Sequence, residues 1–281
     1  MYQSVVRVEN LCFGGNLVFI QYKQEISKYG KKDALTALCF YVYTCGILFL
    51  SAVLFRSDIP LGAFTQTIIS TSLVIVPLFA LILLRKQNIS SIGIHKKNLW
   101  PAIRIGIIFC ALILLMNVFI PMFLGDWTLH SFGNIMRMFF LTLFVVFMED
   151  TLFSGYIQTR IYGLINNDIV AVLLGAFMFA FSHVAAIVGL VGVSGFGTVI
   201  SFSMLFWMLA HVIWNLIFRR YFSLFPITMF HFVWNFGNSG VFATSDHALF
   251  GGSIYEKYIL LVIVVIWLVF SYHKSCKKSL D

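Results

Sequence analysis

Glu149 and Asp150 stand side by side in a long apolar run, and His183, His211 with Asn215, and His231 with Asn235 interrupt three further runs. A carboxylate and two imidazoles brought together support three kinds of chemistry: activation of a water for hydrolysis, a proton relay, or retention of a metal ion. His231 and Asn235 are four residues apart, so on a helix they share one face. The same holds for His211 and Asn215. A lone His or Asn in an apolar helix often only ties helices together, at about 0.6–2 kcal/mol per hydrogen bond. For His211–Asn215 the bridging reading and a supporting role beside the site both stand. His95, His130, His247 and His273 fall in connections or tails and read as solvated.

The elements that must carry these groups are membrane helices. Of 281 residues, 60% are hydrophobic and 11% are charged, and the mean hydropathy is +0.93. A soluble domain carries roughly 25% charged residues, so an ordinary cytosolic enzyme is excluded. Disorder is excluded as well, since it needs low hydrophobicity and high net charge. The 31 Phe suit neither a nucleic-acid binder nor a secreted scaffold, and the aromatic density around His231 (MFHFVWNF) reads as packing and lipid contact. Five Cys form no metal-type cluster and, being odd in number, no disulfide framework.

A membrane helix needs about 20 largely apolar residues. Candidates lie near 34–55, 62–84, 101–124, 134–159, 168–189, 197–217, 222–240 and 257–273. The sequence therefore predicts an all-α polytopic membrane protein of about eight transmembrane helices, with a polar active-site cavity within the bundle. Residues 1–33 mix apolar and charged positions and read as a cytoplasmic or interfacial segment rather than a signal peptide. Residues 34–273 form the membrane domain, with its chemical core at about 134–240, and 274–281 form a basic cytoplasmic tail. The glycine-rich Gly189–Gly197 stretch reads as flexible or re-entrant.

With the N-terminus in the cytoplasm, all but three of the nineteen basic residues (Arg56, Arg137 and Lys257) fall on the cytoplasmic side. The positive-inside rule then places both termini in the cytoplasm. The net charge of +8 becomes a topology signal and an attraction to anionic membrane lipids, not a sign of nucleic acid. At about 1.5 Å per helical residue, Glu149 and His231 lie roughly 16 Å from the basic landmarks Arg160 and Arg220. His183 lies roughly 22 Å beyond Asp168. Three separate helices thus bring a carboxylate and two imidazoles to similar depth, where an ionisable group is expensive and usually functional.

Written as motifs, the cluster is E-D-T-L-F-S-G-Y-I-Q from Glu149, F-A-F-S-H ending at His183, and H-F-V-W-N from His231 to Asn235. This order resembles the CPBP family of intramembrane proteases, which includes CAAX prenyl endopeptidases and bacterial bacteriocin-immunity proteins. The family signature is Glu-Glu-x-x-x-Arg, then Phe-x-x-x-His, then His-x-x-x-Asn on successive membrane helices. The chain departs from it at Asp150, where the second Glu would stand, and at Ser154, where the Arg would stand. Arg160, six residues further on, is not assumed to replace that Arg. His211–Asn215 also fits the third motif; His231–Asn235 is preferred because Pro226 opens its helix after a basic turn.

The resemblance implies an intramembrane endopeptidase acting on a hydrophobic or membrane-anchored peptide or protein, in peptide maturation or bacteriocin self-immunity, in a bacterial plasma membrane. It implies Glu149, His183, His231 and Asn235 as catalytic residues with Asp150 in support. Glu149 with His183 would deprotonate the attacking water, and His231 with Asn235 would stabilise the oxyanion. No cofactor is required on this reading. The alternative is a zinc site with Glu149, His183 and His231 as ligands. Two rivals from other classes are a non-catalytic immunity or binding protein that keeps the fold, and a proton-coupled transporter.

Overall fold

The computed structural model describes residues 17–56, 62–96, 99–114, 127–191, 203–239 and 242–244. Its helices are α1 (Leu17–Ile26), α2 (Lys31–Arg56), α3 (Ala63–Leu84), α4 (Leu99–Leu114), α5 (Phe132–Asp150), α6 (Asp168–Val191), α7 (Ser203–Tyr221) and α8 (Phe225–Ser239). The protein is an all-α membrane protein. Among the described residues, three stretches are long and apolar enough to cross a membrane: Lys31–Leu54, Phe64–Leu84 and Asp168–Val188. Large apolar side chains such as Val42, Val76, Phe140 and Ile169 stand exposed on the helix surfaces. The expected eighth span, the basic tail and the glycine-rich stretch beyond Val191 lie outside the described residues.

Local sequence sets the helix ends. Ser131 caps α5 by accepting from the Asn134 N–H, and the Asn167 side chain accepts from the N–H groups of Ile169 and Val170 at the start of α6. Helix α6 lies at the centre, packed against α2 and α7, while α8 packs against α4 and α5. Helix α1 lies along α7 with Tyr22 fully buried, edge-on to Tyr162, Phe218 and Phe222.

The connections read as cytoplasmic meet at one end of the bundle. There Arg85 pairs with Asp33 at 2.8 Å, and Asp168 receives both Arg219 and Lys23. His95 lies at the same end and departs from its solvated reading. It packs on Phe222 with both ring nitrogens shielded from solvent. The connections read as outer also meet. A two-stranded antiparallel ribbon, β1 (Trp127–Leu129) and β2 (Phe242–Thr244), pairs Trp127 with Thr244. Among the described residues, this ribbon is the strand pairing that the all-helical expectation lacks.

Helix α5 does not stop at Asp150. It widens into a π-helical turn over Thr151–Ile157 and closes through Gln158–Arg160 and a 3-10 turn, Ile161–Gly163. Side chains compete here for backbone carbonyls. The Thr159 hydroxyl donates to the carbonyls of Gly155 (2.6 Å) and Tyr156 (3.0 Å), and Arg160 donates to Gly155 at 3.2 Å. Gly155 is required by close approach: a Cβ there would stand 2.8 Å from the Ile92 carbonyl oxygen. Turns of this kind recur at functional sites because they re-aim the residues beside them.

Candidate active site

Glu149 and Asp150 occupy the last positions of α5 before the π-turn, and the two carboxylates address one imidazole. The His231 Nδ1 lies 3.1 Å from Asp150 Oδ1, and its Nε2 lies 3.6 Å from Glu149 Oε2. The other Glu149 oxygen, Oε1, lies 3.8 Å from His183 Nε2. One carboxylate therefore faces two imidazoles from different helices, α6 and α8. Asp150 and His231 are buried, with side chains 1% and 4% exposed. Glu149 and His183 retain 16% and 27% exposure, which leaves that side of the cluster approachable.

Hydrogen-bond partners fix the tautomers. His183 Nδ1 sits 3.0 Å from the Phe179 carbonyl, which can only accept, so Nδ1 carries the proton. The neutral ring then presents an Nε2 lone pair toward Glu149. An ionised Asp150 likewise receives the Nδ1–H of His231 and turns its Nε2 toward Glu149 and the cavity beside it.

That cavity has a volume of about 110 Å³ and is lined by His183, His231 and Asn235 together with an aromatic wall. Trp214 stacks on His231 (4.0 Å between ring centroids, planes 29° apart), and Trp207 stacks on His183 (4.8 Å, 30°). Phe206 and Trp234 complete the wall. His231 and Asn235 line it together, as their spacing on one helix face requires. Trp234 and Phe230 belong to the run read as packing and lipid contact, and here they form part of the cavity wall. The sequence carries no periodic signal for Trp207 or Trp214, whereas Phe179 belongs to the Phe-x-x-x-His motif.

The second His-x-x-x-Asn pair has a different setting. His211 and Asn215 are buried, and the Asn215 amide donates to His211 Nδ1 (2.9 Å) and to Gln158 Oε1 (3.1 Å). His211 also stacks on Phe179 at 4.6 Å. This network ties α7 to the end of the π-turn and α6, and of its members only Phe179 lines the cavity. Ser154 is fully buried. Arg160 turns away from the carboxylates: its buried guanidinium bonds to Ser91, Gln87, Thr159 and Gly155 and lies 4.4 Å over the rings of Tyr29 and Tyr156.

Among the described residues, no group of three His, Cys, Asp or Glu side chains is disposed to hold a metal ion. Glu149, His183 and His231 are the residues that the zinc alternative would use as ligands.

Comparison with known families places the same stretch. Residues 131–237, somewhat less than half of the chain, match the family model described as type II CAAX prenyl endopeptidase Rce1-like. The matched stretch contains all three motifs and agrees with the CPBP and CAAX protease resemblance read from them. It supports a membrane-embedded protease or hydrolase. No curated protein and no solved structure is significantly similar to the chain.

Proposed function

We propose that the protein is an intramembrane endopeptidase that cleaves a hydrophobic or membrane-anchored peptide with a water activated by Glu149 and His183. The observation that carries this reading is a single carboxylate set between two imidazoles, 3.6 and 3.8 Å away, beside an aromatic-walled cavity. Glu149 Oε1 and His183 Nε2 are both acceptors at a separation that one water bridges, giving a hydrogen to each. The lone pair of that water is then free to attack a peptide carbonyl.

Glu149 takes the water proton as the carbon–oxygen bond forms, and it later delivers the proton to the departing amine as the carbon–nitrogen bond breaks. The Asn235 amide donates to the developing oxyanion, and so does His231 Nε2 when the ring is an imidazolium. Loss of such a donor typically costs about 100–1000-fold in rate. Asp150 holds the His231 ring through Nδ1. The reaction needs no metal on this reading. The distribution of basic residues supports a multi-pass arrangement with both termini cytoplasmic, and the family resemblance supports a bacterial plasma membrane. Peptide maturation or bacteriocin self-immunity fits a site of this kind.

The test uses the detergent-purified chain and a quenched library of hydrophobic peptides, with and without a strong zinc chelator. Cleavage is expected to vanish in Glu149→Gln and His183→Ala and to persist with the chelator. Wild-type cleavage by Glu149→Gln would end the catalytic reading. An immunity phenotype that survives the same substitution would favour a binding role, for which the departures at Asp150 and Ser154 are the supporting observation. Chelator sensitivity would favour the metal alternative.

A further inference from the structure

Trp214 is the aromatic residue that the site uses most closely and that none of the three motifs contains. It is 4% exposed, stacks on His231 at 4.0 Å, and forms part of the cavity wall. Its indole nitrogen is buried and has no hydrogen-bond acceptor within the described protein. The indole N–H can only donate, and a buried tryptophan usually finds an acceptor for it. An N–H without an acceptor is expensive in an apolar interior, so its retention beside a cavity calls for an explanation.

An extended peptide entering the cavity brings carbonyl oxygens that have left water and need donors. The aromatic wall contributes apolar surface for its side chains, and the Trp214 indole is the wall group among the described residues whose N–H is both buried and without an acceptor. We propose that Trp214 is a substrate-positioning residue whose indole N–H donates a hydrogen bond to a backbone carbonyl of the bound peptide, while its ring holds the His231 imidazole. The assignment rests on the endopeptidase reading and extends its substrate site to helix α7.

The two roles separate by substitution. Replacing Trp214 with benzothienylalanine puts sulfur in place of the N–H and keeps the bicyclic plane on His231. Because the hydrogen bond forms in ground and transition states alike, its loss raises KM by about five- to tenfold and leaves kcat within about twofold. Trp214→Leu also removes the plane, and kcat falls as well. A merely structural tryptophan would lower the melting temperature and leave KM unmoved.

The experiment adds an equimolar mixture of quenched apolar peptides to full-length Glu149→Gln protein carrying nitrogen-15 tryptophan. The indole resonance absent from Trp214→Phe identifies Trp214, and it is expected to move downfield on peptide addition. Affinity for the same mixture is expected to weaken by about five- to tenfold in the benzothienylalanine protein. An unmoved resonance or an unchanged affinity would overturn the assignment. Binding does not require cleavage, so the two ideas fail separately. Wild-type cleavage by Glu149→Gln sinks the catalytic mechanism, and unaltered binding without the N–H sinks the role of Trp214.

Discussion

Asp150→Asn changes the side chain by one atom and almost nothing in volume, so its effect isolates what the carboxylate does for His231. Asp150 Oδ1 accepts from His231 Nδ1 at 3.1 Å in a site where the Asp150 side chain is 1% exposed, and Oδ2 has no partner among the described residues. Asparagine has two ways to sit there. With its carbonyl toward Nδ1, it keeps the bond and places an NH2 where Oδ2 had been, costing about 1–3 kcal/mol if that group finds no acceptor. With its NH2 toward Nδ1, it drives the imidazole proton to Nε2 and removes the Nδ1–H bond that anchors the ring. In both cases a charge-assisted bond of about 1.5–3 kcal/mol becomes a neutral one of about 0.5–1.5 kcal/mol. At 1.4 kcal/mol per factor of ten, that loss is about tenfold, and carboxylate partners of functional histidines typically account for 10–100-fold. We expect kcat to fall by about 10–100-fold with KM within about threefold. Initial rates on a quenched apolar peptide measure this, alongside a thermal melt that reports the folded fraction. Asp150→Glu keeps an acceptor for Nδ1 and should retain more activity than the amide despite the extra methylene. A kcat for Asp150→Asn within twofold of wild type, on fully folded protein, would refute the assignment of Asp150 to His231.

Three further substitutions separate the site from its scaffold. His211→Ala removes the stack on Phe179 and the bond to Asn215, and should lower stability by about 2–4 kcal/mol while kcat stays within about threefold; a melt and a rate measured on one preparation decide it. Gly155→Ala drives a Cβ to 2.8 Å from the Ile92 carbonyl, costs about 1–3 kcal/mol, and shifts the turn that follows Glu149 and Asp150, so activity and melting temperature should fall together. Arg160→Lys cannot reproduce the five hydrogen bonds of the buried guanidinium; a loss of at least about 2 kcal/mol is expected, read as a reduced yield of monodisperse protein.

Much of the architecture was legible because membrane helices announce themselves by composition. A run of about 20 apolar residues has few alternatives in lipid, and ionisable residues within such runs are rare enough to stand out. The helices therefore begin and end close to where hydropathy put them, as with α6 at Asp168–Val191 against an expected 168–189. Glu149, His183 and His231 could be singled out for the same reason, and their order supplied the family resemblance.

Spacing along the chain says nothing about which of two equivalent pairs faces a cavity. His211–Asn215 and His231–Asn235 have identical patterns, yet one is buried against Gln158 and Phe179, and the other lines the cavity beside Glu149. That difference depends on how α7 and α8 pack, which is a property of all their neighbours at once. The π-turn after Asp150 depends likewise on Thr159 and Arg160 reaching back to the Gly155 carbonyl and on the Ile89–Ile92 turn pressing against Gly155. The aromatic wall is the clearest case. Tryptophan and phenylalanine serve lipid, core and cavity equally well by chemistry, so only the tertiary structure assigned Trp207, Trp214 and Trp234 to the site. Sequence determined which residues could do chemistry, because polarity in a membrane is costly. Packing decided which of them meet, because contacts between helices are set by shape rather than by position in the chain.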